Sequence, residues 1–147
     1  MLGQLFCALA KAFNGCKPSE TIEPVGTIGI HMASSILLNK LDQIGDDKAE
    51  IYLPDTKVKI YNKDDVVKSC ELQEVSSLEY IKEKHDCDDF AAKLYGKFAG
   101  LVWTNVHSLN WFIDEYETFW WIEPQTRKIS FTLEKWQGSE VRFFLGR

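Results

Sequence analysis

The chain is predicted to fold in the α+β class, with helices packed on an antiparallel sheet, and two observations carry that expectation. Apolar residues recur at three- and four-residue spacing over residues 32–44 and 90–98, the period of an amphipathic helix. Runs rich in β-branched and aromatic residues then follow at 106–113, 118–122, 129–133 and 141–144, with polar turns between them. Helices first and consecutive strands afterwards is an order in which helices cover an antiparallel sheet instead of alternating with a parallel one.

Taken in order, Leu2, Leu5, Phe6, Leu9 and Phe13 share one helical face that ends at Asn14-Gly15, so the N-terminus reads as an amphipathic helix packed onto the domain. Residues 16–30, with Pro18, Pro24, Gly26 and Gly29, read as a loop. Leu37, Leu38, Leu41 and Ile44 share the inner face of a helix over 32–44, which Gly45 can end; His31 precedes it with no carboxylate placed to pair with it. Residues 49–53 and 57–61 read as a hairpin around Pro54-Asp55-Thr56. Asn62 is placed to cap a short helix over 63–70, and Ser77 another over 78–84. The expected organisation is a single domain over 1–147, with 1–45 a helical and loop extension and 46–147 the core.

A thiol, an imidazole and a carboxylate then come within forty residues of one another. Cys87 opens the helix whose inner face is Phe90, Ala91, Leu94, Tyr95 and Phe98, with Gly96 and Gly100 as stop signals. Asp86 is its N-cap, and the unpaired N–H groups and partial positive charge at that end favour a thiolate over a thiol. Asp86, Asp88 and Asp89 act in the opposite sense unless they point away or hold a cation. Downstream, 106–113 and 118–122 flank Asp114-Glu115-Tyr116-Glu117 as an antiparallel hairpin. A turn centred on Glu115 pairs residues whose numbers sum to 230, setting His107 directly across from Glu123 with Cβ atoms about 5 Å apart. A carboxylate there can fix the imidazole tautomer and leave the other ring nitrogen for a thiol. A sum of 231 would turn the two side chains to opposite faces.

With these residues in place, Asp86-Cys87-Asp88-Asp89-Phe90-Ala91, His107 with Asn110, and Glu123-Pro124-Gln125 resemble the papain-like cysteine peptidase domain that follows a ricin-type lectin in a fungal agglutinin, together with its small lectin-like homologues. The similarity covers about residues 75–135. It implies a papain-like half-core and a catalytic triad of Cys87, His107 and Glu123. It also implies activity linked to a divalent cation such as calcium, with Asp88 and Asp89 near the metal. Asn110 is the competing orienter of the histidine, but three residues from His107 it points to the other face of a regular strand. Tyr80 or Gln73 is placed where related folds put an oxyanion donor, the Cys87 backbone N–H being the other donor, and Gln125 is a supporting residue. Two features depart from the pattern: the chain has no lectin repeats, and the stretch from Cys87 to His107 is short.

Composition limits the alternatives. A chain of 147 residues buries enough surface for a real core. A formal charge of −5, with no lysine or arginine stripe among the aromatics, argues against nucleic acid as a partner. Cys7, Cys16, Cys70 and Cys87 lack a C-x-x-C spacing and read as free thiols in a reducing, cytoplasmic setting, an atypical export signal aside. The apolar run 2–10 is too short to span a bilayer. Trp103, Trp111, Trp120, Trp121 and Trp136 crowd the strand region, as a sheet covered on both faces requires; an aromatic-lined cleft or dimer patch would also use them. The expected activity is a cysteine hydrolase acting on a protein or peptide substrate. The rivals are a non-catalytic binding module with a cation site and a structural component docked through its N-terminal helix.

Overall fold

The computed structural model describes residues 22–72 and 77–147. The helix expected over Leu2 to Phe13, the thiols Cys7 and Cys16, and the candidate donor Gln73 lie outside the described residues. The elements are β1 (Gly26–Gly29), α1 (Ile30–Ile44), β2 (Glu50–Tyr52), β3 (Lys57–Ile60), α2 (Lys63–Leu72), α3 (Cys87–Tyr95), β4 (Gly100–Thr104), β5 (Ser108–Ile113), β6 (Phe119–Glu123), β7 (Lys128–Ser130), a 3₁₀ turn (Lys135–Gln137) and β8 (Val141–Leu145). Strands β2-β8-β4-β5-β6-β7 form one six-stranded sheet, and β1 pairs with β3 in a second sheet of two.

The large sheet is covered on both faces. On one, α1 packs Ala33, Leu37 and Leu41 against Leu109, Trp111, Ile113, Phe119, Trp121 and Phe144. On the other, Val66 and Cys70 of α2 and Leu94 of α3 meet Phe112 and Ile122. Every residue of β5 is therefore buried, polar ones included. This accounts for the crowding of rings: Trp111 and Trp121 are core residues, while Trp136 remains 53% exposed. Gly45 ends α1 in the left-handed conformation (φ 73°), and Asn62 caps α2 by accepting the Asp65 N–H at 3.1 Å. No helix among the described residues is long and apolar enough to cross a membrane.

Four expectations are corrected. The sheet is mixed, because β2 pairs in parallel with β8. Residues 49–61 are therefore no hairpin: β3 pairs with β1 instead, and the carbonyl of Thr56 in the supposed turn accepts the Ile30 N–H that begins α1. Strand β1 lies within the stretch read as loop; its flanking glycines resemble turn signals, yet Ile28 between them is buried opposite Val58. No helix forms over 78–84, where a turn is closed by pairing of Ile81 with His85. Asp86 captures the Glu83 N–H at 3.1 Å and His85 Nδ1 bonds to the Glu79 carbonyl at 2.7 Å, so side chains take backbone groups that a helix would need.

Strand β4 lies in a stretch for which the sequence carries no strand expectation. Gly100, which looks like a helix stop, opens it and lies flat against the Trp111 indole. A Cβ at this position would come within 2.2 Å of Trp111 Cε2. Gly100→Ala is expected to lower stability by about 1–3 kcal/mol, read as a fall in the urea midpoint at unchanged slope; an unmoved midpoint would mean that the indole yields without loss.

Candidate active site

Cys87 is the first residue of α3, and a reciprocal capping box of Asp86 and Asp89 builds the helix start. Asp89 accepts the Asp86 N–H at 3.3 Å, which places its carboxylate in the cap. The carboxyls that do come together beside the sulfur are Asp86 and Asp88, whose oxygens lie with Cys87 Sγ inside 4.8 Å. A hydrogen bond between them holds Asp88 above the usual carboxylate range and Asp86 below it. Two neighbouring carboxyls are an oxygen donor pair of the kind a hard divalent cation takes.

Asn110 fixes α3 to the sheet. Its amide donates to the carbonyls of Ala91 in α3 and Gly100 in β4, each at 2.9 Å. It faces the helix layer, away from His107, so its support is to the helix that carries Cys87 and not to the imidazole.

His107 sits in the turn before β5. Thr104 Oγ1 accepts the His107 N–H at 2.9 Å and donates to the Gln137 carbonyl at 2.6 Å, tying that turn to the 3₁₀ segment. His107 Nε2 lies 2.7 Å from Glu123 Oε2, with the two side chains 9% and 2% exposed. The register that brings them together is not the expected one: Asn110 pairs with Ile122 and Trp111 with Trp121, a sum of 232, which leaves Leu109 across from Glu123. Residues 107 and 109 share a face, so His107 meets Glu123 diagonally instead of directly. Among the described residues nothing is hydrogen bonded to His107 Nδ1.

Three further groups complete the surroundings of Glu123. Gln137 Nε2 donates to its Oε2 at 3.1 Å and the Gln125 N–H to its Oε1 at 3.2 Å, so Gln125 supports Glu123 through its backbone. The Trp136 ring flanks the imidazole at 5.1 Å between centroids. Sequence reasoning names Trp136 among the crowded tryptophans but misses Thr104 and Gln137, since neither falls in a periodic or motif position.

Cys87 and His107 line one cleft of about 260 Å³, together with Asp88, Trp103, Ser108 and Arg142. Tyr80 is outside this lining and is 55% exposed. Cys70, in contrast, is inside the α2 layer, and burial pushes its thiol up to about 12.

A sheet covered on both faces, with a cysteine-headed helix beside a His–Glu pair, can be compared with known proteins. No protein-family model matches the chain, and neither does any curated protein. Solved structures do: the PSL1a–E64 complex superposes with a TM-score of 0.65 at 21% identity, over 81% of this chain and 50% of its own. Polyporus squamosus lectin bound to the human-type influenza-binding epitope Neu5Acα2-6Galβ1-4GlcNAc gives 0.62 at 20% identity, over 81% and 49%. The chain has the papain-like fold of Polyporus squamosus lectin PSL1a. It spans about half the length of either lectin chain. The papain-like domain shares with it the α+β plan and the six-stranded mixed sheet described above.

Glu123→Ala strips the acceptor from three donors at a buried position. It is expected to cost about 3 kcal/mol in urea unfolding, and Glu123→Gln, which keeps the shape and one acceptor oxygen, about half of that. Equal midpoints for Glu123→Ala and the wild type would show that the carboxylate is not needed to hold the turns together.

Proposed function

We propose that the chain is a cysteine hydrolase acting on a peptide or isopeptide amide. The observation that carries this reading is the His107–Glu123 hydrogen bond through Nε2, with Nδ1 left without a partner among the described residues, in a cleft that Cys87 also lines. That arrangement is the division of labour a thiol nucleophile needs: one ring nitrogen oriented by a carboxylate, the other available as base.

In the proposed reaction Cys87 Sγ attacks the amide carbon while its proton passes to His107 Nδ1. The oxyanion is met by the Cys87 backbone N–H, which as a first-turn group has no partner within the helix. The imidazolium, stabilised by Glu123, returns the proton to the leaving amine as the C–N bond breaks. Water then attacks the thioester with the imidazole as base, releasing the carboxylic acid and restoring the thiol. Asp86 and Asp88 would hold the divalent cation that the family resemblance implies. Bound there, it would supply positive charge beside the sulfur and separate the two carboxylates. The similarity to a structure holding E64, a protease inhibitor, agrees with the reading at the level of the fold.

The test is covalent capture. E64 is expected to add to Cys87 in the wild type, with the adduct mapped by peptide mass, and not to Cys70. His107→Ala should slow the addition at least a hundredfold, the usual worth of a general base. Calcium is expected to raise the rate and chelator to lower it, both effects disappearing in Asp88→Asn. If Cys87 reacts no faster than Cys70, the chain is the binding module, with the acidic pair and exposed Trp136 as its working parts.

A further inference from the structure

We propose that Arg142 selects the substrate by binding a carboxylate next to the scissile amide. The inference rests on the hydrolase reading of the same cleft and adds a substrate class to it.

Arg142 belongs to β8, and its position in the ladder is irregular. Trp103 of β4 pairs with Phe143 and Thr104 with Val141, so the register slips by one and Arg142 has no residue opposite it. A bulge of this kind takes a side chain out of strict alternation and re-aims it, a device common beside active sites. Here the re-aimed side chain lines the cleft that holds Cys87 and His107. It is the one residue of that lining with a permanent positive charge.

Arg142 is also unengaged. Among the described residues it makes no hydrogen bond and no ion pair, although acidic groups are close at hand. A second cleft of about 430 Å³, sharing Arg142 as its wall, is lined by Asp46, Asp47, Glu50 and Glu140. Asp46 is committed to the backbone N–H groups of Lys48 and Val141, and Glu50 to the Tyr52 hydroxyl. A guanidinium offers a planar fork of donors that fits a carboxylate in two parallel hydrogen bonds. Asp88 on one side and the second cleft on the other, where four carboxylates outnumber the single Lys48, disfavour an anion away from that fork. Attraction at one point with repulsion around it specifies position as well as charge. The carboxylate can be an acidic side chain or the terminal carboxylate of a peptide, and the experiment separates these.

Two measurements test the proposal. In the first, Cys87 is alkylated with iodoacetate and with iodoacetamide, which differ in charge alone at the group Arg142 would meet. Arg142→Gln is expected to lower the iodoacetate-to-iodoacetamide rate ratio about fivefold, the worth of a partly exposed ion pair, whereas His107→Ala lowers both rates. A ratio unmoved by Arg142→Gln overturns the proposal. The second uses no chemistry at sulfur: in Cys87→Ala, the Arg142 Nε–H resonance is followed during titration with acetyl-glutamate methylamide, acetyl-alanine and the neutral acetyl-glutamine methylamide. A shift with the first identifies an acidic side chain, a shift with the second a chain terminus, and equal responses to acids and neutral amide overturn the proposal. Should Cys87 resist iodoacetamide while the Arg142 resonance still prefers an acid, the hydrolase reading fails and the carboxylate site stands.

Discussion

A carboxylate at 2% exposure imposes the arrangement of everything near it. Glu123 ends a strand buried on both sides, where an ionised group without donors would cost several kcal/mol. Its partners come from three separate turns: His107 before β5, the Gln125 backbone after β6, and Gln137 in the 3₁₀ segment. Two of these turns are joined to each other, the first and the third, by Thr104, whose hydroxyl accepts the His107 N–H and donates to the Gln137 carbonyl. The imidazole is oriented as a by-product of keeping that carboxylate satisfied. Stability and placement of the candidate base are thus one requirement.

The helix of Cys87 reaches the same cleft by an independent route. Asn110, fully buried in the central strand, extends its amide into the opposite layer and holds the Ala91 carbonyl and that of Gly100 together. A polar residue inside an otherwise apolar interface fixes the register of helix against sheet, because sliding would strand its hydrogen bonds. The sulfur and the imidazole are therefore set by different residues on different faces of one sheet, and they meet at its end.

The α+β class was legible in the order of helical and strand patterns, and the pairing of His107 with Glu123 because it depends on parity more than on register. The hairpin turn is centred on Tyr116, not Glu115: Asp114 gathers the N–H groups of Tyr116 and Thr118 and the Trp120 indole N–H with its carboxylate, which moves the centre by one residue. Moving a residue-centred turn by one changes the pair sum by two, and an even change leaves every side chain on its face. The helix start at Cys87 was legible for a local reason too, since its cap lies within four residues of the sequence. The partners of β2 and β3 were not, because strands of three or four residues carry too few alternations to declare whom they pair with. Thr104 reaches Gln137 across 33 residues, Gln137 reaches Glu123 across 14, and Arg142 enters the cleft lining at a bulge; none of these leaves a periodic trace.

The position of β8 in the sheet has a consequence for the order of events during synthesis. It lies between β2 and β4, so two strands wait for a neighbour that the ribosome makes some forty residues after β4. Contacts of that separation form late, since the intervening chain must be ordered before they repay its entropy. The wall of the cleft that carries Arg142 is made of this strand. The cleft that Cys87 and His107 line is therefore complete only once β8 has docked between β2 and β4, so a finished cleft is itself the sign of a finished sheet.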